Sequence, residues 1–160
     1  MKINDKLKQI KQRNEARAYF NKNNSFRFSL KDYIVSFLIT FFVGAVGLVV
    51  ILNITSVLSV NFSFFYILLG YLGAKAVIRY KGNGGDDIAG VDGALGLFFG
   101  MIVGYGIYLG SVIASMFGAS VFFDISLYLQ GFQYLYTANL VQAIFSLLGI
   151  FTTYYFIRNN

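Results

Sequence analysis

The chain has 160 residues, 57% of them hydrophobic and only 12% charged, where soluble domains carry about 25% charged residues. It contains no Cys, His, Trp or Pro. That excludes disulfides, thiolate chemistry, His- or Cys-ligated zinc, copper or haem, and any Ser-His-Asp or Cys-His nucleophile. The net charge is +6, but nine of the 13 Lys and Arg residues precede Asp32, so the charge belongs to one tail and does not describe a nucleic-acid-binding surface.

Residues 1–32 are that tail. Ile3, Leu7 and Ile10 fall on one face of a helix, with Lys2, Lys6, Lys8, Lys11 and Arg13 around the rest. Such a short basic amphipathic helix suits a surface of anionic lipid headgroups. A solvated tail that enforces topology, or one that docks to a partner protein, fits the same residues. The Asn-rich run 21–24 ends the pattern.

Three stretches then lack any Asp, Glu, Lys or Arg: residues 33–74, 93–123 and 125–157. A helix needs roughly 20 apolar residues to cross a bilayer. The stretches therefore hold four spans, at about 33–54, 58–80, 93–117 and 134–157. The first reads as an uncleaved anchor, because the residues before it are polar and no small-residue cleavage site follows it. The absence of Pro favours continuous helices. The expected fold is all-α: one domain, 33–160, built as an integral membrane four-helix bundle.

Each span carries a stripe of small or polar residues at helical spacing. The first has Ser36, Thr40, Gly44 and Gly47, and the second Ser63, Gly70, Gly73 and Ala74. The third has Gly93, Gly96, Gly100, Gly104, Ser111 and Ser115, and the fourth Asn139, Gln142, Ser146, Gly149 and Thr153. Small residues let helices approach closely in lipid, and polar side chains prefer a partner on another helix. The stripes are expected to face inward, with Phe, Leu and Ile facing lipid. For Gly96, Gly100 and Gly104, packing within the chain, a seam between copies and a pore-lining face all fit.

Between the second and third spans, residues 75–92 concentrate charge. Lys75 and Arg79 are one turn apart, Gly82, Gly84 and Gly85 form a flexible turn, and Asp86, Asp87 and Asp92 open the third span. Negative charge suits a helix N-terminus. The cations suit an inner interface, where long side chains snorkel to water. A second reading pairs Lys75 with Asp92 at the mouth of a pathway, since an ionisable residue inside a span is a functional candidate. Asn139 and Gln142 act either as interhelical glue or as ligands along that pathway. The glycines are not a phosphate-binding loop, because no Gly-Lys-Ser/Thr follows them.

The loop 118–133 holds Asp124 and many aromatics, including Phe122, Phe123, Tyr128 and Phe132, with Tyr134 and Tyr136 just beyond. Tyr favours the headgroup level. Residues 124–131 read either as a short helix on the outer surface or as a plain loop. Neither this loop nor the turn at 55–57 contains Lys or Arg, whereas Lys75, Arg79, Lys81 and Arg158 follow the second and fourth spans. The positive-inside rule then puts both termini in the cytoplasm.

Two pieces of the chain echo one another. Leu38, Phe41, Phe42, Val46 and Gly47 match Leu95, Phe98, Phe99, Val103 and Gly104 at one spacing. Leu68, Leu69, Gly70, Ile78 and Arg79 match Leu147, Leu148, Gly149, Ile157 and Arg158, again at one spacing. The pattern fits a duplicated helical hairpin with parallel copies.

Gly73-Ala74 and Arg79-Tyr80 resemble the Gly-Ala and Arg-Tyr pairs of small four-span fluoride channels, but in the wrong spans. Small multidrug exporters carry a Glu in the first span, which is absent here. In its use of Asn, Lys, Ile, Phe and Tyr the chain is similar to small four-span proteins of bacteria with AT-rich genomes. That implies a multi-pass protein of the bacterial plasma membrane. The expected role is non-enzymatic and without cofactors: an accessory or scaffolding subunit that packs with itself or with a larger membrane protein. The alternative is an oligomeric small-solute or ion transporter using Lys75, Arg79, Asp92, Asn139 and Gln142.

Overall fold

The computed structural model describes residues 12, 29–58, 63–81, 86–118 and 124–159. The tail pattern around Ile3, Leu7 and Ile10, the glycine turn 82–85, and Phe122 and Phe123 lie outside the described residues. Within them the chain forms five helices: α1 Leu30–Leu58, α2 Phe65–Lys81, α3 Asp87–Phe117, α4 Ile125–Tyr136 and α5 Leu140–Asn159.

The first helix is longer than expected at both ends. Ser29 caps it: its backbone N–H and its hydroxyl donate to the Asp32 carboxylate at 2.8 and 2.9 Å, in the manner of a capping box. At the far end residues 55–57 are helical and not a turn. No Gly or Pro interrupts them, and the Asn53 amide donates to the Val49 carbonyl at 2.7 Å instead of leaving the helix.

The second helix is shorter than expected. It starts at Phe65, not near residue 58, and its 17 residues reach about 25 Å. α3 starts six residues before its expected span, with Asp86 as cap accepting from the Ile88 N–H at 3.2 Å. It ends at Gly118, whose φ of 65° closes the last turn by donating to the Ala114 carbonyl at 2.9 Å.

The largest correction concerns the fourth expected span, which is two helices. Residues 125–131 belong to a helix that runs on to Tyr136, so Tyr134 and Tyr136 are in α4. Asp124 caps it by accepting from the Ser126 N–H at 2.9 Å, and that bond holds its carboxyl below the ordinary range. The backbone N–H groups of Thr137 and Ala138 both fold back onto the Gln133 carbonyl, which stops α4. Asn139 restarts the chain as the cap of α5, its side-chain oxygen accepting from the Val141 N–H at 2.9 Å.

Three helices, α1, α3 and α5, are long and apolar enough to cross a membrane. α1 and α3 run parallel. Gly96, Gly100 and Gly104 lie directly on the carbonyls of Phe37, Phe41 and Ala45 in turn, so a methyl on any of the three would strike α1 backbone. Gly44 answers from α1, with Leu97 O and Met101 N at 2.9 and 3.1 Å from where its Cβ would be. α2 and α5 also run parallel, crossing where Gly70 meets the backbone of Gly149 and Gly149 meets the Tyr66 carbonyl. α2 returns antiparallel to α1, with Leu69 against Gly47 and Thr40 beneath Gly73. α4 lies along the middle of α3, with Gly131 on the Ile102 carbonyl and Tyr128 over Gly106.

The core is filled by Leu48, Leu97, Met101 and Leu135 together with the small stripes. Ser36, Thr40, Gly44, Gly70, Gly73, Gly93, Gly96, Gly100, Gly104, Gln142, Ser146, Gly149 and Thr153 are all buried. Leu38, Phe42, Val46, Val50 and Ile54 form an exposed ridge down α1, and Ile144, Leu147 and Phe151 do the same on α5. Small inside and large apolar outside is the packing expected where lipid is the solvent.

Candidate functional site

Two polar regions hold the residues singled out from the sequence. The first is the end where α1 and α3 begin and α2 and α5 finish. Lys81 reaches across to Asp32 at 2.6 Å, the Tyr33 hydroxyl donates to Asp86 at 2.6 Å, and Arg158 Nε pairs with Asp87 at 2.5 Å. These three contacts tie α2 to α1, α1 to α3, and α5 to α3. The carboxylates are there because helix starts select acidic caps, and the cations because helix ends select bases. Asp32 and Asp86 thus serve twice, as first-turn groups and as partners of a neighbouring helix.

Lys75 and Arg79 stand apart from this network. Both are exposed on α2, and the Lys75 ammonium lies 5.7 Å from the centre of the Tyr71 ring. Asp92 is half-buried on α3. The expected pairing of Lys75 with Asp92 is absent among the described residues, whose ion pairs are Lys81–Asp32 and Arg158–Asp87.

The second region lies under the break between α4 and α5. Gln142 is 2% exposed and donates from Nε2 to the Tyr66 hydroxyl at 2.9 Å, bonding α5 to α2. Tyr66 is equally buried. Nearby, the rings of Tyr105 and Tyr134 stack at 4.4 Å, and the Tyr136 ring lies tilted against Phe98 at 5.1 Å. About three turns further along α5, the Thr153 hydroxyl donates to the Gly70 carbonyl at 3.0 Å. Asn139 is not with Gln142 in this interior. It is exposed and committed to capping α5.

The tyrosines are what the sequence reading missed. Their place among the aromatics of the outer loop puts Tyr134 and Tyr136 at the interface, and no motif marks Tyr66. A signal was present for Tyr66: it lies one turn before Gly70, on the same stripe as Gly73 and Ala74, so the stripe carries it inward. Nothing comparable flags Tyr134, because its burial depends on α4 folding back along α3.

In chemical terms the first region is a set of charge pairs closing one end of a helix assembly. The second is a donor and acceptor bonded across two helices. Comparison with protein-family models, with curated proteins and with solved structures finds no match to this chain.

Proposed function

We propose that this chain is a small multi-pass protein of the bacterial plasma membrane with a non-enzymatic role, an accessory or scaffolding subunit for a larger membrane protein. One observation carries the reading. The glycines that would suit a close seam with another molecule are already engaged within the chain, Gly96, Gly100 and Gly104 against α1 and Gly70 against Gly149. The result is a filled, tightly packed body whose outer surface is large apolar side chains. That surface suits lipid and a partner's transmembrane helices.

The proposed topology is four crossings with both termini cytoplasmic. It is supported by the return of α2 to the end where α1 starts, which gathers Lys31, Arg79, Lys81 and Arg158 on one side. We also propose that the chain is a duplicated hairpin, α1–α2 and α3–α5, with α4 as an insertion. In the sequence echo Gly44 corresponds to Met101 and Gly70 to Gly149. Both pairs touch in the structure, as equivalent residues near a two-fold axis must.

The test is native mass spectrometry of the tagged protein taken from its own membrane into nanodiscs. A stoichiometric larger protein is the expected result. A defined homo-oligomer without it would favour transport instead, with Gln142 and Tyr66 as the polar groups of the path. In that case flux through liposomes should fall on Lys75→Met, and unchanged flux would remove Lys75 from the path.

A further inference from the structure

The cations at the charged end divide into two kinds. Lys81 and Arg158 have carboxylates, Asp32 and Asp87. Lys75 and Arg79 have none among the described residues, yet they lie one turn apart on the same face of α2. Tyr71, one turn earlier, continues that face. Its ring lies under the Lys75 ammonium and meets the Phe156 ring of α5 edge-on at 5.3 Å, so the two aromatics line the outer groove between α2 and α5. Leu68 and Leu72 extend the same exposed surface toward the bilayer centre.

Lys75 is six residues inward of Lys81, about 9 Å along the helix. A cation at that depth is costly unless it is paired or hydrated. Among the described residues no carboxylate pairs with Lys75 or Arg79, which leaves both charges facing the surroundings of the helix.

We propose that this groove binds one anionic phospholipid, with its phosphate held by Lys75 and Arg79 and an acyl chain lying over Tyr71, Phe156 and Leu68. The proposal rests on the membrane-spanning reading above. A lipid is favoured over a soluble anion because the basic pair opens directly onto an apolar face that only an acyl chain would cover. An anionic headgroup is favoured over a zwitterionic one because a choline or ethanolamine cation would be held against two positive side chains. Basic groups at the cytoplasmic ends of membrane helices recognise lipid in this way.

The experiment uses the full chain, delipidated in detergent and titrated with phosphatidylglycerol or phosphatidylcholine, with bound lipid read by native mass spectrometry. One phosphatidylglycerol should bind in preference to phosphatidylcholine. Affinity should fall about fivefold for Lys75→Gln or Arg79→Gln and about 30-fold for the double variant, while Lys75→Arg retains binding. Lys81→Gln should leave it unchanged, because that charge is already matched by Asp32.

Equal retention of the two lipids, or an equal loss in Lys81→Gln, would overturn the site. So would displacement of the lipid by free glycerol phosphate. Carbonate extraction of the membranes separates this failure from the larger one. A chain that resists extraction but shows no lipid preference sinks only the groove, whereas a chain released by carbonate sinks the membrane-spanning reading itself.

Discussion

The two parallel seams of the molecule are built from the same idea and finished differently. Along α1 and α3 the contact is a ladder: three glycines, four residues apart, each resting on a carbonyl of the facing helix. Between α2 and α5 there is one crossing, Gly70 on Gly149, flanked by two side-chain hydrogen bonds, Gln142 to Tyr66 and Thr153 to the Gly70 carbonyl. The ladder holds two long helices in register by shape alone, because any slip drives a side chain into backbone. A single crossing fixes a point and leaves the angle free, and the bonds on either side of it set that angle. Lipid offers apolar side chains no advantage in pairing with each other, so close backbone approach and polar bonds are the means available.

That contrast is breakable. Gly100→Leu inserts a side chain where the Phe41 carbonyl stands, and backbone cannot yield as a side-chain tip can. The expected loss is about 3 kcal/mol or more, read by steric-trap or detergent unfolding, with Gly96→Leu and Gly104→Leu similar. A loss under about 1 kcal/mol would mean that the ladder is not the register device described here.

Gly149→Val should cost somewhat less, about 2 kcal/mol, because α5 can pivot about a single crossing. If it proved as damaging as Gly100→Leu, the two seams would be equally rigid. The hydrogen bonds are smaller again. A double-mutant cycle of Gln142→Leu and Tyr66→Phe should give a coupling of about 0.6–2 kcal/mol, since partners in membrane proteins compete with alternatives in the unfolded state. Zero coupling would leave the α2–α5 seam with packing alone. Smallest of all is the Arg158–Asp87 pair, which links the two seams at an exposed edge. Asp87→Asn should change stability by less than about 1 kcal/mol and only at low salt.

Much of this was legible in the residues. The uncharged stretches announced membrane helices because no soluble surface tolerates them. The stripes announced which face turns inward for most of their length, and burial of Thr40, Gly70, Gly100, Ser146 and Thr153 follows from spacing alone; Ser111 and Ser115, on the stripe of the third span, are instead exposed and donate to the Tyr108 and Val112 carbonyls of their own helix. The helix starts at Ser29, Asp86 and Asp124 are written in capping residues, which lie outside the apolar limits of the stretches. The break at Thr137–Asn139 was harder. An uncharged run looks continuous, and Asn139 fitted the stripe of the fourth span at regular spacing. Its side chain instead satisfies backbone donors, a choice that spacing does not reveal.

What the sequence determined by itself is class and facing: an all-helical chain, apolar stretches long enough for a bilayer, small residues inward, cations gathered at helix ends near one side. Those are local properties, set by composition, period and capping chemistry. What only the tertiary structure decided is partnership. Gly96, Gly100 and Gly104 could have met another copy but meet α1. Lys75 could have met Asp92 but faces outward over Tyr71, while Lys81 takes Asp32. Gln142 could have lined a path but bonds Tyr66. The physical reason is common to all three. A stripe or a charge specifies the kind of surface it will accept, and many surfaces in the chain are of that kind. The choice among them depends on helix lengths, crossing points and the break before α5, which exist only once the helices are packed.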